Sequence, residues 1–290
     1  MSNWSGAAGK RVVITGATSG IGLAAARELA ARGARLTIIA RSESNAGPVA
    51  SELGADYVIA DLALKSAVRR AADQILARHD RIDMLVNNAG VYLTERTMTE
   101  DWIETTWAVN HLAPFLLTNL LLERLKGSAP ARIITTASDA HRRAEIPFDD
   151  LDGARAYAAR SLRGAGYVRY AQTKLANVMF TAELARRLKG SGVTANCFHP
   201  GLVASGISRE QKGAARVTLK VMDAFSRRPG EGAETLVWLV DSAEVSDMSG
   251  AYFADNKQVA PAPAANDRDV AGRLWDLSEL QTNSAPAIAG

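Results

Sequence analysis

Short apolar runs rich in valine and isoleucine alternate along this chain with longer stretches whose apolar residues recur at helical spacing. The alternation begins at Arg11 and continues to the end of a last apolar run at Phe253. This order is typical of βαβ units, whose right-handed crossovers build a parallel sheet covered by helices on both faces. The sequence therefore predicts an α/β fold with one Rossmann-type, doubly wound domain and a parallel sheet of about seven strands.

The predicted domain covers residues 10–280, between a flexible lead-in over 1–9 and a flexible tail over 281–290. We predict strands at Arg11–Thr15, Arg35–Ala40, Asp56–Ala60, Ile82–Asn87, Ala131–Ala137, Val193–His199 and Ala251–Phe253. We predict helices at Gly20–Arg32, Leu64–His79, Glu100–Lys126, Val168–Lys189, Gly230–Val240 and Arg268–Ser278. Two irregular segments, 139–166 and 202–229, leave the carboxyl edge of the sheet, where ligands bind in such folds. They are expected to form the substrate pocket, with 202–229 as its lid.

Bulk properties exclude several classes of protein. The formal charge of +3 and the even mixing of acidic and basic residues do not favour nucleic-acid binding. The single cysteine, Cys197, excludes an intrachain disulfide and fits a reducing compartment. No stretch is apolar enough for a signal peptide or a membrane span. We therefore predict a cytoplasmic protein without a transmembrane segment.

A glycine-rich turn connects the first predicted strand to the first predicted helix. Glycines let the backbone approach a pyrophosphate closely, and the free amides and dipole of the helix N-terminus then bind its negative charge. The sequence thus predicts a dinucleotide site, formed by Gly16, Ser19, Gly20, Ile21 and Gly22. A purely structural turn is the alternative.

The end of the second strand predicts which dinucleotide binds. An NAD-dependent enzyme usually carries an acidic residue there, which holds the ribose 2′-hydroxyl. This chain has Ala40 and Arg41 instead, and a guanidinium suits a 2′-phosphate through charge-assisted hydrogen bonds. We therefore predict NADP(H) as the cofactor, and nearby Glu43 leaves NAD(H) as the alternative.

Tyr170 and Lys174 lie four residues apart in a segment of helical periodicity, so their side chains share one face. A free tyrosine has a pKa of about 10, and a nearby ammonium lowers the pKa of a phenol. A lowered pKa would make Tyr170 a better general acid and base near neutral pH. The pair is common by chance and gains its meaning only from the other motifs.

Together these motifs resemble the short-chain dehydrogenase/reductase family. The resemblance implies a catalytic tetrad of Asn110, Ser138, Tyr170 and Lys174, in which Asn110 anchors a proton-relay water. It also implies cofactor contacts from residues that follow the strands and from Tyr170 and Lys174 themselves. These are Asp61, Leu62, Asn88, Ala89, Gly90, Tyr170, Lys174, Pro200, Gly201 and Val203.

Further segments resemble the retinol dehydrogenase-like branch of that family. They include Phe148–Leu151, Lys174–Asn177 and Ser249–Phe253, and Ser138 and Tyr170 are separated by 32 positions, which indicates an insert beside the pocket. The branch's N-terminal membrane anchor is not found, which argues against a membrane-bound retinoid role. The basic and apolar residues of 212–228 suit a lid over an apolar substrate, or a helix resting on lipid.

The resulting hypothesis is an NADP(H)-dependent oxidoreductase that moves a hydride between nicotinamide and a hydrophobic carbonyl or alcohol substrate. Tyr170 is its general acid and base, Ser138 steadies the developing alkoxide, and Lys174 holds the nicotinamide ribose. A non-catalytic cofactor sensor or scaffold on the same fold is one alternative, and an epimerase or dehydratase is another.

The histidines and Cys197 have no metal-ligand spacing. Apolar stripes on the helices of Glu100–Lys126 and Tyr170 fit either a homo-oligomer or packing within the monomer.

Overall fold

Eight strands form one sheet in the computed structural model, which describes residues 6–159, 166–201 and 228–283. The strands are β1 Arg11–Thr15, β2 Arg35–Ala40, β3 Asp56–Ile59, β4 Met84–Asn87, β5 Ala131–Thr136, β6 Val193–Phe198, β7 Tyr252–Ala254 and β8 Lys257–Gln258. Their spatial order is β3-β2-β1-β4-β5-β6-β7-β8. The first seven run parallel, so the predicted doubly wound α/β fold is confirmed.

The eighth strand differs from the prediction because β8 pairs antiparallel with β7. Asp255 and Asn256 form the turn between them, with φ values of +49° and +58°. Aspartate and asparagine tolerate this left-handed conformation, which two-residue hairpins require. The two residues of β8 are polar and exposed, so no apolar pattern announces the strand.

The helices are α1 Gly20–Ala31, α2 Glu43–Leu53, α3 Lys65–Arg78, α4 Thr105–Trp107, α5 Ala113–Gly127, α6 Ala154–Ala158, α7 Tyr167–Arg187, α8 Pro229–Asp241 and α9 Arg268–Asn283. The sequence did not predict α2, since Gly47 and Pro48 lie inside it and both disfavour helix. Burial of Ala46, Val49 and Ala50 outweighs that preference. The predicted helix Glu100–Lys126 is also divided, because a π-helical turn over Ala108–Leu112 separates α4 from α5.

The core lies in two layers, one on each face of the sheet. Alternate residues of β1 belong to different layers because successive side chains of a strand point to opposite faces. Val12 and Ile14 pack with residues of α1 and α8, whereas Val13 packs with residues of α3, α5 and α7. None of the helices in the described part of the chain is sufficiently long and apolar to span a bilayer.

Both ends of the described chain are held more firmly than the sequence suggested. Ala7, within the predicted flexible lead-in, is fully buried, and its amide donates to Asp241 Oδ1 at 2.8 Å. At the other end, α9 continues past the predicted boundary at 280. Thr282 is buried, and Lys65 Nζ donates to the carbonyl oxygen of Gln281 at 3.0 Å.

Helix α9 covers the apolar stripes of α5 and α7. The Trp275 ring lies 4.9 Å from the Phe115 ring and 5.9 Å from the Phe180 ring, between centroids. The Arg187 guanidinium lies 4.2 Å from the Trp275 ring on another side. At this place the stripes are therefore buried by packing within the monomer.

Removing the Trp275 side chain is expected to destabilise the protein. Trp275→Ala should lower the free energy of unfolding by about 3–5 kcal/mol, because it leaves a cavity between α5 and α7. Leu280→Ala on the same helix is the control, since that side chain is 66% exposed, and it should change the free energy by about 0.5 kcal/mol or less. Urea titration followed by circular dichroism measures both, and equal losses would contradict this view of α9.

Candidate active site

The glycine turn after β1 forms a cradle that excludes side chains. Gly16 and Gly20 have φ values of +69° and +55°, a region that favours glycine. A Cβ atom on Gly22 would overlap the carbonyl oxygen of Gly16. Ser19 occupies the N-cap of α1 without a side-chain hydrogen bond to the helix, and Ile21 is half-buried behind it. This cradle at a helix N-terminus fits the pyrophosphate of a dinucleotide.

The side chain of Asn88 ties three strands together beside the cradle. Its Nδ2 donates to the carbonyl oxygens of Thr15 and Gly16, both at 3.2 Å, and its Oδ1 accepts from Thr136 Oγ1 at 3.2 Å. The Ala89 amide donates to Thr15 Oγ1 at 3.0 Å. A Cβ atom on Gly16 would lie 2.8 Å from the Ala89 Cα. The ends of β1, β4 and β5 are therefore held in close contact.

Asn110 lies in the π-helical turn and is fully buried. Its Oδ1 accepts from the Val91 amide at 2.7 Å, and its Nδ2 donates to the Val91 carbonyl at 2.9 Å and to Thr173 Oγ1 at 3.1 Å. A Cβ atom on Gly90 would lie 3.3 Å from Asn110 Oδ1 and 3.5 Å from Lys174 Nζ. The loop after β4, the π-helical turn and α7 thus meet at one point. Such turns within α-helices are frequent at functional sites.

Tyr170 and Lys174 lie on α7 next to the end of β5. Lys174 Nζ lies 5.6 Å from the centroid of the Tyr170 ring and donates to the Thr136 carbonyl oxygen at 3.0 Å. Burial lowers the pKa of Lys174 to about 8, so the amine is still mainly protonated at pH 7.

The lowered pKa predicted for Tyr170 is not found in this structure, because burial outweighs the groups that would lower it. Burial raises the pKa of Tyr170 to about 12, and a hydrogen bond with Ser138 opposes that rise only in part. The nearby Tyr92, whose ring centroid lies 5.5 Å away, raises it further. The Tyr170 phenol is therefore neutral at pH 7, which is the form that can donate a proton.

Ser138 follows β5 and is positioned by His141. His141 Nδ1 donates to the Ser138 carbonyl oxygen at 2.7 Å, while His141 Nε2 accepts from the Ala262 amide at 2.9 Å. Those two partners require the neutral ring, and burial lowers the pKa of His141 accordingly. Ser138 Oγ accepts from the Ala140 amide at 3.3 Å, which holds the turn that follows.

The carboxyl ends of β2 and β3 form the other side of the cradle. Arg41 is exposed immediately after β2. Glu43 is the acidic residue that keeps NAD(H) as the alternative cofactor. It begins α2 and accepts a hydrogen bond from the Tyr57 hydroxyl on β3. Asp61 Oδ1 accepts from the Ala63 amide at 2.9 Å, and Leu62 packs against the core on the α3 side.

The Pro200-Gly201 turn follows β6. Gly201 has a φ of +80°, and its amide donates to His199 Nδ1 at 3.0 Å. His199 therefore holds the turn. Val203 and residues 202–227 of the predicted lid lie outside the described residues. No group of residues that could hold a metal ion occurs in 6–159, 166–201 or 228–283.

Sequence reasoning missed several residues that support the site. Thr15, Thr136 and Thr173 supply the hydrogen bonds described above, and Tyr92 contacts the Tyr170 ring. Thr15 and Thr136 lie in strands, where threonine commonly just packs on the pleated surface, so only the pairing of β1, β4 and β5 reveals them as partners. The position of Tyr92 directly after the Asn-Asn-Ala-Gly-Val segment was the one available signal.

Comparison with known proteins identifies the family. A model described as short chain dehydrogenase matches residues 10–148. Retinol dehydrogenase 14 of Mus musculus is 41% identical over 292 residues, covering 94% of this chain and 85% of the relative. The chain belongs to the short-chain dehydrogenase/reductase family. The predicted resemblance, including its retinol dehydrogenase-like character, is confirmed. This short-chain dehydrogenase/reductase is therefore a hydride-transferring oxidoreductase that acts on CH–OH groups.

Solved structures agree with this assignment. The structure of an uncharacterised protein from Mycobacterium paratuberculosis superposes with a TM-score of 0.76 at 31% identity, covering 99% of this chain and 98% of that chain. A short chain dehydrogenase from Burkholderia cenocepacia J2315, solved in complex with NADP, has a TM-score of 0.67 at 27% identity. That comparison covers 90% of this short-chain dehydrogenase/reductase and 99% of the Burkholderia chain.

Filling the cradle is expected to impair dinucleotide binding. Gly22→Ala introduces a methyl group that overlaps Gly16 and Asn88, and overpacking of about 1–3 kcal/mol should weaken NADPH binding about tenfold or more. Gly47→Ala is the matched control, because a Cβ there meets nothing within 4 Å and the residue lies within α2. It should leave binding unchanged in a fluorescence titration. Unchanged affinity in Gly22→Ala would show that the cradle is not the pyrophosphate site.

Proposed function

We propose that this protein is an NADP(H)-dependent oxidoreductase that interconverts a hydrophobic carbonyl compound and its alcohol, with Tyr170 as general acid and base. The observation that carries the proposal is the meeting of Tyr170, Lys174 and Asn110 beside Gly90, at the sheet edge that also holds the glycine cradle. Ser138 adds a hydroxyl that interacts with Tyr170. A sensor or scaffold would have no need for a buried lysine beside a half-buried phenol at this place.

The residues of the chain divide the chemistry of reduction among themselves. When bound, the cofactor supplies the hydride. The neutral Tyr170 phenol donates its proton to the carbonyl oxygen, and Ser138 Oγ donates a hydrogen bond to the same oxygen as negative charge develops there. The Lys174 ammonium, held by the Thr136 carbonyl, then stabilises the Tyr170 phenolate. In the reverse direction the same groups remove the proton from an alcohol.

Proton return to Tyr170 requires a route from solvent, and we assign its first step to Asn110. The asparagine is fixed by three hydrogen bonds and lies next to Lys174 across Gly90. A water bound at this point would connect Lys174 to the bulk. Lys174 itself would hold the nicotinamide ribose, while Asn88, Ala89, Gly90 and the Pro200-Gly201 turn would contact the cofactor with their backbone. We extend the same role to Val203.

Arg41 supports NADP(H) over NAD(H). It is exposed at the end of β2, where the 2′-substituent of the adenosine ribose would lie. Glu43, the nearest acidic residue in sequence, accepts a hydrogen bond from the Tyr57 hydroxyl. Asp61 and Leu62, after β3, would contact the adenine. An NADP complex of a structurally similar protein agrees with this choice.

Two observations support the proposed substrate class: the branch of the family and the residue composition of the segment 212–228. The similar mouse protein is named for retinol, a hydrophobic alcohol. The sequence of 212–228 mixes apolar with basic residues, which suits a lid over an apolar aldehyde, ketone or secondary alcohol.

The chain has one cysteine, and Cys197 is a buried thiol, which suits a reducing, cytoplasmic location. Any homo-oligomer would use surfaces other than the place on α5 and α7 that α9 covers.

Substitution of the proton donor tests the mechanism. Wild type should oxidise NADPH in the presence of one or more members of a series of aliphatic and aromatic aldehydes and ketones. Tyr170→Phe should bind NADPH with unchanged affinity but lose about 10²–10⁴-fold in kcat, because it removes only the transferable proton. NADPH absorbance gives the rates and fluorescence titration gives the affinity. A Tyr170→Phe enzyme with nearly wild-type turnover would overturn the role of Tyr170.

The choice of cofactor is tested by the ratio of kcat/KM with NADPH to that with NADH. Wild type should favour NADPH, and Arg41→Ala should reduce the ratio by about 10–100-fold through the loss of charge-assisted hydrogen bonds to the 2′-phosphate. Glu43→Gln is the neighbouring control and should change the ratio little. A wild-type preference for NADH would refute the NADP(H) assignment.

A further inference from the structure

A fully buried ion pair lies beside the catalytic residues without belonging to them. Arg169 Nε donates to Glu104 Oε2 at 2.8 Å, and both side chains are completely inaccessible to solvent. Burying two charges is unfavourable unless their geometry and additional hydrogen bonds compensate for the lost hydration. An apolar pair of similar volume would serve packing alone at no greater cost. The position of this ion pair, between α4 and α7, therefore indicates a role beyond packing.

Glu104 controls the start of the helix that carries Asn110. As the N-cap of α4, its Oε1 accepts from the Thr106 amide at 2.8 Å and its Oε2 accepts from the Trp107 amide at 2.9 Å. The chain passes from α4 directly into the π-helical turn that holds Asn110. The start of this helix thus depends on Glu104, because the first amides of a helix have no partner within the helix and here bond the Glu104 carboxylate.

Arg169 controls the start of α7, where it directly precedes Tyr170. Besides Glu104, its guanidinium donates to the Leu151 carbonyl oxygen and to Gln172 Oε1 at 3.4 Å. It also lies 4.7 Å from the centroid of the Trp107 ring. One side chain therefore joins the first turn of α7 to α4 and to the insert between Ser138 and Tyr170.

The insert is attached to the same pair at a second point. The Tyr157 hydroxyl, on α6, donates to Glu104 Oε1 at 2.9 Å. A Cβ atom on Gly153 would lie 3.2 Å from Arg169 Nε, so the insert backbone packs directly against the guanidinium. Every oxygen of the Glu104 carboxylate accepts two hydrogen bonds in this arrangement.

We propose that Glu104 and Arg169 are positioning residues, which hold Tyr170 and Asn110 in register and anchor the insert as a wall of the substrate pocket. The inference rests on the proposed function for its catalytic consequence. It assigns the pair no contact with substrate or cofactor. The glycine cradle, at the ends of β1 and α1, is formed by other segments, so the affinity for NADPH should not depend on the pair.

Arg169→Met removes the charge and keeps most of the length of the side chain. We expect kcat to fall about 10–100-fold, the effect of displacing reacting groups by about 1 Å, together with a higher KM for the carbonyl substrate. The dissociation constant for NADPH should stay within twofold of wild type. Arg169→Lys, which keeps a charge, should recover part of kcat. Arg27→Met is the control, since the Arg27–Glu52 pair is exposed, and it should behave as wild type.

Hydrogen–deuterium exchange gives a readout that does not depend on turnover. In Arg169→Met, amides of residues 146–159 should exchange faster, while those of β1 and α1 should not change. The milder Tyr157→Phe removes only one hydrogen bond to Glu104, and it should accelerate the same amides and raise KM with less effect on kcat. If wild type reduces no carbonyl compound, the proposed function fails, whereas the exchange pattern still tests the anchoring.

Two outcomes would overturn the inference. One is a folded Arg169→Met with wild-type kcat, KM and exchange. The other applies if Arg169→Met does not fold because the Glu104 charge has lost its partner. The double variant Glu104→Gln/Arg169→Met, which removes both charges, is then measured instead. Wild-type kcat per NADPH-binding site in that double variant, with unchanged exchange of 146–159, would show that the pair serves stability alone.

Discussion

The side-chain amide of Asn88 joins the carboxyl ends of three neighbouring strands, and the rest of the site is arranged around that junction. It bonds the glycine turn after β1 on one side and Thr136 of β5 on the other. Thr136 in turn accepts a hydrogen bond from Lys174 through its carbonyl oxygen. The cradle and helix α7 are therefore connected through two residues. Neighbouring parallel strands end at one edge of the sheet, and these hydrogen bonds hold their loops in contact there.

Burial decides the protonation states around this junction. Lys174 keeps its proton at pH 7 although burial lowers its pKa to about 8, whereas Tyr170 is kept neutral by burial that raises its pKa to about 12. The neutral His141 ring needs its low pKa, because a protonated Nε2 could not accept from Ala262. The Tyr170 phenol is thus in the protonated form that the proposed reduction requires.

Much of the fold was predictable because local pattern is sufficient for it. The bounds of β1 and β2 match the prediction residue for residue, since each is a short apolar run between clear turn signals. The prediction failed where tertiary packing outweighed local preference: Pro48 lies inside α2, and the polar β8 exists only as a partner for β7. The long helix predicted from Glu100 begins only at Thr105, where the Glu104 side chain caps it, and a π-helical turn over Ala108–Leu112 interrupts it.

For the site, the sequence by itself determined which chemical groups are present and their order along the chain: the glycines before a helix, the Tyr170–Lys174 spacing and the absence of an acidic residue after β2. Only the tertiary structure decided that Tyr57 engages Glu43, that His141 positions Ser138, and that Glu104 and Arg169 are buried together. It also reversed the expected shift in the pKa of Tyr170. Hydrogen-bond partners and loss of hydration depend on residues far apart in the chain, which no local pattern encodes.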